Sequence, residues 1–234
     1  MNSSRTERVL QVLNLVVLKQ EPVKLKTIGE TLGLHPSMVS RIVDDLISGG
    51  LLAKCTYRSV IATPALALLG KRAGENHPLA RIAEKILPEP LEKMGLQGDL
   101  AVLELNSFYH FFRKWENLPP VETVWNSDAA AVILAAETEE KAEEKLLGMI
   151  PEEHAGEIPR LMERIREVNE KHYLVDFHAG RFWQLTFPVQ CGAMNCAFSV
   201  ARIERPADDL IFFECSRLVA RMQSAYDNWK NSLC

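Results

Sequence analysis

The chain lacks any apolar run long enough to span a bilayer, because charged residues interrupt every hydrophobic stretch. No membrane span is therefore expected. No secretory leader or lipidation motif is legible either, and the expected compartment is the cytoplasm. Cysteine is sparse. Cys55, Cys191, Cys196, Cys215 and Cys234 are an odd number without a paired metal spacing, and in a reducing compartment they are expected to be plain thiols. Cys191 and Cys196 flank Gly192 and suit a hairpin better than a metal or redox centre. A phosphate-cradling glycine loop, a Ser-His-acid arrangement and a paired metal motif are also missing, and the six histidines are scattered. Catalysis, a resident metal and a cofactor are accordingly not expected.

What is present points to two domains. At 234 residues with 47% hydrophobic side chains, the chain is long enough and apolar enough to bury real cores. The net charge of -4 is unevenly spread: residues 1–63 carry eight Lys/Arg against five Asp/Glu, and the remainder 19 against 26. A mildly basic head on an acidic body fits a nucleic-acid-reading module joined to something that does not touch nucleic acid.

The stretch from Leu25 to Leu52 is the most informative. Leu25, Ile28 and Leu32 recur at helical spacing, and so do Val39, Ile42, Val43, Leu46 and Ile47, so each segment has one face to bury. Gly33 ends the first helix, Pro36 suits the first turn of the second, and Gly49-Gly50 ends that. This is the pattern of a helix-turn-helix. Ser37, Ser40, Arg41, Asp44 and Ser48 remain on the outer face of the second helix, with Met38 beside them. Short polar groups around one cation can approach a major groove closely, and an arginine there can bridge guanine O6 and N7. Asp44 and Asp45 repel phosphate, so only the first turn and a half is expected to enter the groove.

An earlier helix opens at Ser4-Arg5-Thr6-Glu7, a capping box, and carries Val9, Leu13, Val16 and Val17. Leu51–Lys54 and Ser59–Ala62 flank Cys55-Thr56-Tyr57-Arg58 as a short β-hairpin would. Three helices and a hairpin make a winged helix-turn-helix, with Tyr57 and Arg58 near the wing tip. Lys24, Lys26, Lys54 and Arg58 are candidates for phosphate contacts.

From Thr63-Pro64 two helical segments, broken at Pro88 and Pro90, predict a connector over residues 64–95. Beyond Asp99 the period changes. Leu100 to Leu105 and Phe108 to Trp115 predict two strands. Helices are predicted over 127–136, 139–147 and 157–171, strands over 172–177, 181–190 and 193–202, and a final helix from Pro206. That order predicts an α+β domain over 96–234, an antiparallel sheet flanked by helices. The aromatic run Phe108, Tyr109, Phe111, Phe112 and Trp115 is read as core and pocket wall rather than an interface. The Glu139–Lys145 charge run is read as a solvated helix face. His172 and His178 could join Asp176 around a metal, but a plain surface loop is the favoured reading.

In order and spacing, the segments resemble the IclR family of bacterial transcriptional regulators. The resemblance rests on Arg8-Val9-Leu10, on Gly33 through Val43, on the hairpin of Leu100–Leu105 and Phe108–Glu116, on Phe187-Pro188-Val189 and on Ala193–Ala201. It implies a winged helix-turn-helix (residues 1–63), linker helices (64–95) and a GAF-like effector-binding and oligomerisation domain (96–234). It also implies a double-stranded DNA operator, a homodimer or tetramer, and a small organic, acid-like effector. The effector contacts it implies are Asn126, Ser127, Asp176, Gln184, Cys196 and Ser199, in a cavity walled by Leu103, Phe111, Trp125 and Phe198.

The chain also departs from the family. Val124-Trp125-Asn126-Ser127-Asp128-Ala129-Ala130-Ala131 replaces the usual Leu-His pair and Gly-Lys-Ala run, and the loop at Phe177-His178-Ala179-Gly180 is short. The alternatives are an effector-independent dimeric regulator, or a metabolite-binding protein or enzyme whose head mediates protein contacts.

Overall fold

The computed structural model describes residues 4–19, 21–104, 106–115, 123–178, 182–202 and 209–233. Leu105, Glu116, Ala179, Gly180, Arg181 and Pro206 lie outside these. The chain divides into two compact units, residues 1–74 and 75–234.

In the first unit, α1 (Arg5–Leu18) starts on the reciprocal Ser4/Glu7 capping box. A two-residue strand, β1 (Val23–Lys24), leads directly into α2 (Leu25–Leu32), which ends at Gly33 with φ 62°. α3 (Pro36–Ser48) begins with Pro36 at its first turn, and His35 caps it by accepting a hydrogen bond from the Ser37 amide. β2 (Leu52–Thr56) and β3 (Ser59–Ala62) form the wing, and β1 adds to the free side of β3. The inward stripes meet in one core: Val12 and Val16 from α1, Ile28 from α2, Val39, Ile42, Val43 and Leu46 from α3, and Leu52 and Val60 from the wing. α4 (Pro64–Asn76) follows.

The second unit opens with α5 (Pro78–Ile86) and α6 (Pro88–Met94). The sequence places these in a connector, but they belong to this unit's core. Leu79, Ala80, Ala83, Leu87 and Leu91 fall on one helical stripe and are buried against the sheet. Gly98 has no side chain because a Cβ there would meet Leu91 Cδ1 at 2.6 Å. β4 (Gln97–Glu104) and β5 (Ser107–Lys114) form a hairpin. A 3-10 turn (Val124–Asn126) leads to α7 (Asp128–Leu134), then α8 (Glu139–Met149), a second 3-10 turn (Glu152–Glu157) and α9 (Ile158–Lys171). β6 (Leu174–His178), β7 (Phe182–Cys191) and β8 (Met194–Arg202) form a meander, and α10 (Asp209–Asn231) ends the fold.

The five strands lie in the order β5-β4-β8-β7-β6, every pair antiparallel. One sheet face packs on α5, α6 and α10 through Leu100, Leu185, Phe187, Phe198, Val200 and Met222. The other packs on α7, α8 and α9 through Ala197, Leu174, Leu146, Leu161 and Ile165. This is the α+β architecture the alternation of segments predicts, with helices covering both faces. Among the described residues no helix is long and apolar enough to cross a membrane.

Candidate nucleic-acid interface and effector cavity

The first unit presents one open polar surface. Burial of Val39, Ile42, Val43 and Leu46 fixes the rotation of α3, which turns Ser37, Ser40, Arg41 and Asp44 outward and exposes them all. Arg41 has no ion-pair or hydrogen-bond partner among the described residues. Met38 is half-buried, and its sulfur accepts a 3.3 Å hydrogen bond from Arg8 Nη1. Ser37 Oγ lies 2.9 Å from His35 Nδ1, so its hydroxyl takes part in the helix cap.

Between α2, α3 and the wing runs a groove of about 1110 Å³. Lys26, Ser40, Lys54, Tyr57 and Arg58 line it, whereas Ser37, Met38 and Arg41 are not among its walls. Tyr57 is 89% exposed, and the Arg58 guanidinium lies 5.7 Å from its ring centroid. Two of the groove's cations already have carboxylate neighbours, Lys26 with Glu30 at 3.5 Å and Lys54 with Asp44 at 3.7 Å. Beside it, Arg5 reaches Asp45 at 2.8 Å. All six side chains are exposed, so these pairs are weak and exchangeable. Sequence reasoning missed the Arg5–Asp45 pair, since nothing local links residues forty apart.

The second candidate surface is the sheet face under α7. Ala129, Ala130 and Ala131 let α7 lie close on the strands, and all seven of its residues are buried. Ser199 is cross-strand neighbour to Asp99 on one side and Thr186 on the other. Gln184 Nε2 donates to Thr186 Oγ1 at 3.1 Å, and Thr186 Oγ1 lies 3.1 Å from Ser199 Oγ. Asp99 contacts His110 Nδ1 at 2.8 Å, and His110 Nε2 lies 3.4 Å from Arg113 Nη1.

At the start of α7, Asp128 is 4% exposed and pairs with Arg164 at 2.9 Å, while Arg164 Nη1 also donates to Glu167 at 2.8 Å. Burial alone would lower the Arg164 pKa, but the hydrogen bond and charge of Asp128, together with the charges of Glu167 and Asp176, outweigh it and raise the guanidinium above its ordinary value. Ser127 Oγ and Gln97 Oε1 are buried without a hydrogen-bond partner among the described residues.

The structure therefore brings Ser127, Gln184 and Ser199 to one side of the sheet. Asp176 stands on the same side of edge strand β6, opposite Gln184, and its Oδ1 accepts from the Phe177 amide. Asn126 is exposed, bonded through its Oδ1 to the Thr123 hydroxyl. Cys196 does not join them. It is an odd number of residues from Ser199, so the strand turns it to the opposite face, where it packs with Cys191 and Cys215. Burial pushes all three thiols up to about 12, and the four described cysteines are free. Phe111 and Phe198 lie in that opposite core too. Leu103 and Trp125 remain on the α7 side, Trp125 stacked on His154 at 4.4 Å.

A void of about 10 Å³ lies between Asp99, Phe108, Ala129 and Ser199, smaller than an organic ligand needs, and of the expected contacts it touches Ser199. No group of three metal-ligating side chains forms among the described residues.

No family model matches the chain, and no curated protein sequence matches it. Solved structures do. An IclR family transcriptional regulator from Brucella abortus superposes with a TM-score of 0.73 at 16% identity, over 96% of this chain and 93% of that one. An IclR homologue from Microbacterium hydrocarbonoxydans, in complex with 4-hydroxybenzoate, gives 0.56 at 17%, over 96% and 100%. The repressor BlcR from Agobacterium tumefaciens gives 0.51 at 12%, over 95% of each chain. Coverage of this extent takes in both units of the chain, and at such identities it is the fold that is shared.

Proposed function

We propose, from the fold this chain shares with the IclR transcriptional regulators, that it is a sequence-specific DNA-binding regulator whose operator affinity a small organic effector modulates. The observation that carries this reading is the surface of the first unit. A helix whose rotation is locked by four buried apolar residues presents Arg41 with no ion-pair or hydrogen-bond partner among the described residues, beside a groove lined by Lys26, Lys54 and Arg58. In this assignment residues 1–63 read DNA. Ser37, Ser40 and Arg41 face base edges, Met38 supports the helix and offers an apolar contact, and Lys26, Lys54, Tyr57 and Arg58 hold the backbone.

The second unit binds the effector and assembles the subunits, and the chain passes to it from the first unit through α4. One recognition helix covers too few base pairs for specificity, so the working form is a homodimer or tetramer on half-sites about 34 Å apart. An effector acts only if it prefers one spacing of the two heads. Residues Asn126, Ser127, Asp176, Gln184 and Ser199 would hold it, and Ser127 Oγ and Gln97 Oε1 supply unspent hydrogen-bonding capacity there. Catalysis is not part of the proposal, since His110 lies between Asp99 and Arg113 rather than against a nucleophile.

One observation favours a second reading, a regulator without an effector. The polar side chains under α7 already satisfy one another, with Gln184 bonded to Thr186 and Thr186 to Ser199, and the void beside Ser199 is about 10 Å³. Fluorescence anisotropy with labelled promoter fragments tests the common part: saturable binding to a subset of fragments is expected, and indifference to every fragment overturns it. A thermal-shift screen with small organic acids, 4-hydroxybenzoate included, separates the two readings. A rise in the midpoint together with a change in operator affinity supports the effector, and a flat screen supports its absence.

A further inference from the structure

We propose that the cleft at the carboxyl end of α7 binds a small organic ammonium ion with an apolar body, at a place separate from the polar groups around Ser127. The cleft holds about 460 Å³, within the range of small-ligand sites. It lies wholly in the second unit, where the end of β4, the start of β8, the end of α7 and α8 converge. Leu103, Ile133, Met149 and Met194 supply its apolar walls. The two unbranched thioethers let those walls adapt to an aromatic or branched tail.

The charge around the cleft selects the sign of the ligand. Glu104 stands at the end of β4 and Glu137 just beyond α7, and Lys145 is the one cation among the lining residues. Lys145 Nζ lies 2.5 Å from Glu137 Oε1, so its charge is committed. Glu104 has no ion-pair partner among the described residues. The carbonyl end of α7 adds partial negative charge on the same side. An ammonium group placed here meets a free carboxylate while its hydrocarbon part covers the apolar wall, whereas an organic anion meets repulsion.

Gly148 points the same way from a different property. It lies in the last turn of α8, and a Cβ there would meet nothing within 4 Å. Helical glycine is entropically costly relative to alanine, and neither a turn nor a close approach requires it at this position. Its effect is to keep one wall of the cleft low.

Isothermal titration of the full chain with 2-phenylethylamine, against the matched anion phenylacetate, tests the proposal. The amine is expected to bind with one-site stoichiometry and phenylacetate not to bind at this cleft. Gly148→Leu, which fills the space, and Glu104→Gln, which removes the free charge, should each weaken the amine by about tenfold, with the far-UV spectrum and thermal midpoint of the unliganded protein retained. Should Gly148→Leu fail to fold, Glu104→Gln decides alone. Absence of heat with the amine at millimolar concentration, equal affinity in wild type and variants, or phenylacetate binding that Gly148→Leu abolishes would each overturn it. DNA binding plays no part in the readout, so this result and that of the promoter titration are independent.

Discussion

The outer face of α3 and the inner face at the start of α7 use nearly the same side chains to opposite ends. On α3, Ser40, Arg41 and Asp44 stand in solvent, and Asp44 meets Lys54 at 3.7 Å with both side chains 62% exposed. At α7, Ser127 and Asp128 are buried, and Asp128 meets Arg164 at 2.9 Å with side-chain exposures of 4% and 17%. Water screens the first pair and leaves its members free to exchange partners with a polyanion. The second pair has lost its water and cannot give up a partner cheaply. Residue type alone therefore does not distinguish a binding surface from a structural network. Burial decides it.

Asp128→Ala gives the sharpest test of this contrast. It leaves the Arg164 guanidinium largely buried, with Glu167 hydrogen-bonded to it and the charge of Asp176 nearby, and the expected loss is about 3 kcal/mol of unfolding free energy, measured by urea titration. A loss no larger than that of an exposed pair would break the comparison. Arg41→Ala comes next, and it should act on function only. Operator affinity should fall by about 1 to 3 kcal/mol, as read by anisotropy, with the urea midpoint unchanged; unaltered affinity removes Arg41 from base reading.

Glu167→Gln sharpens the comparison through pH. Burial alone would raise the Glu167 pKa, but hydrogen bonds and charge from Lys171 and Arg164 outweigh it and hold the group below its ordinary 4.5. A depressed carboxyl pKa contributes stability that is complete above the ordinary value and is lost as pH falls through the folded-state value. Wild type minus Glu167→Gln stability should thus be positive at neutral pH and shrink below about pH 4.5. A difference that persists unchanged into acid would contradict this. The smallest effect belongs to Lys54→Ala, with a change in folding stability of no more than about 0.5 kcal/mol. Its signature lies elsewhere, in a salt dependence of DNA binding reduced by about one counterion.

How much of this was legible beforehand varied with the range of the interaction. The helix boundaries of the first unit follow from local chemistry, namely the Ser4/Glu7 box, Gly33, Pro36 and Gly49-Gly50. β1 was not legible, because two residues between Pro22 and Leu25 carry no period and pair only with a distant strand. The helices α5 and α6 looked like a connector because an amphipathic stripe does not name the surface it covers. Cys196 joins Ser199 in the sequence reading only through the family resemblance; the strand itself offers no correction, because every residue from Cys196 to Ala201 is buried and no polar alternation tells one face from the other. The Asp128–Arg164 pair joins residues 36 apart, beyond any local signal.

The strand order carries a consequence for how the chain acquires its shape. β4 can zip to β5 as soon as both exist, yet its other edge waits for β8, so that Ala101 finds Ala197 only after some ninety further residues have been made. The first unit needs nothing beyond residue 74 to close its core. During translation the amino-terminal unit should therefore reach its native state well before the carboxyl-terminal one, whose central ladder has high contact order and correspondingly slow closure. A truncation ending before Met194 would leave β4 and β7 each with an uncovered hydrogen-bonding edge, a state prone to aggregation.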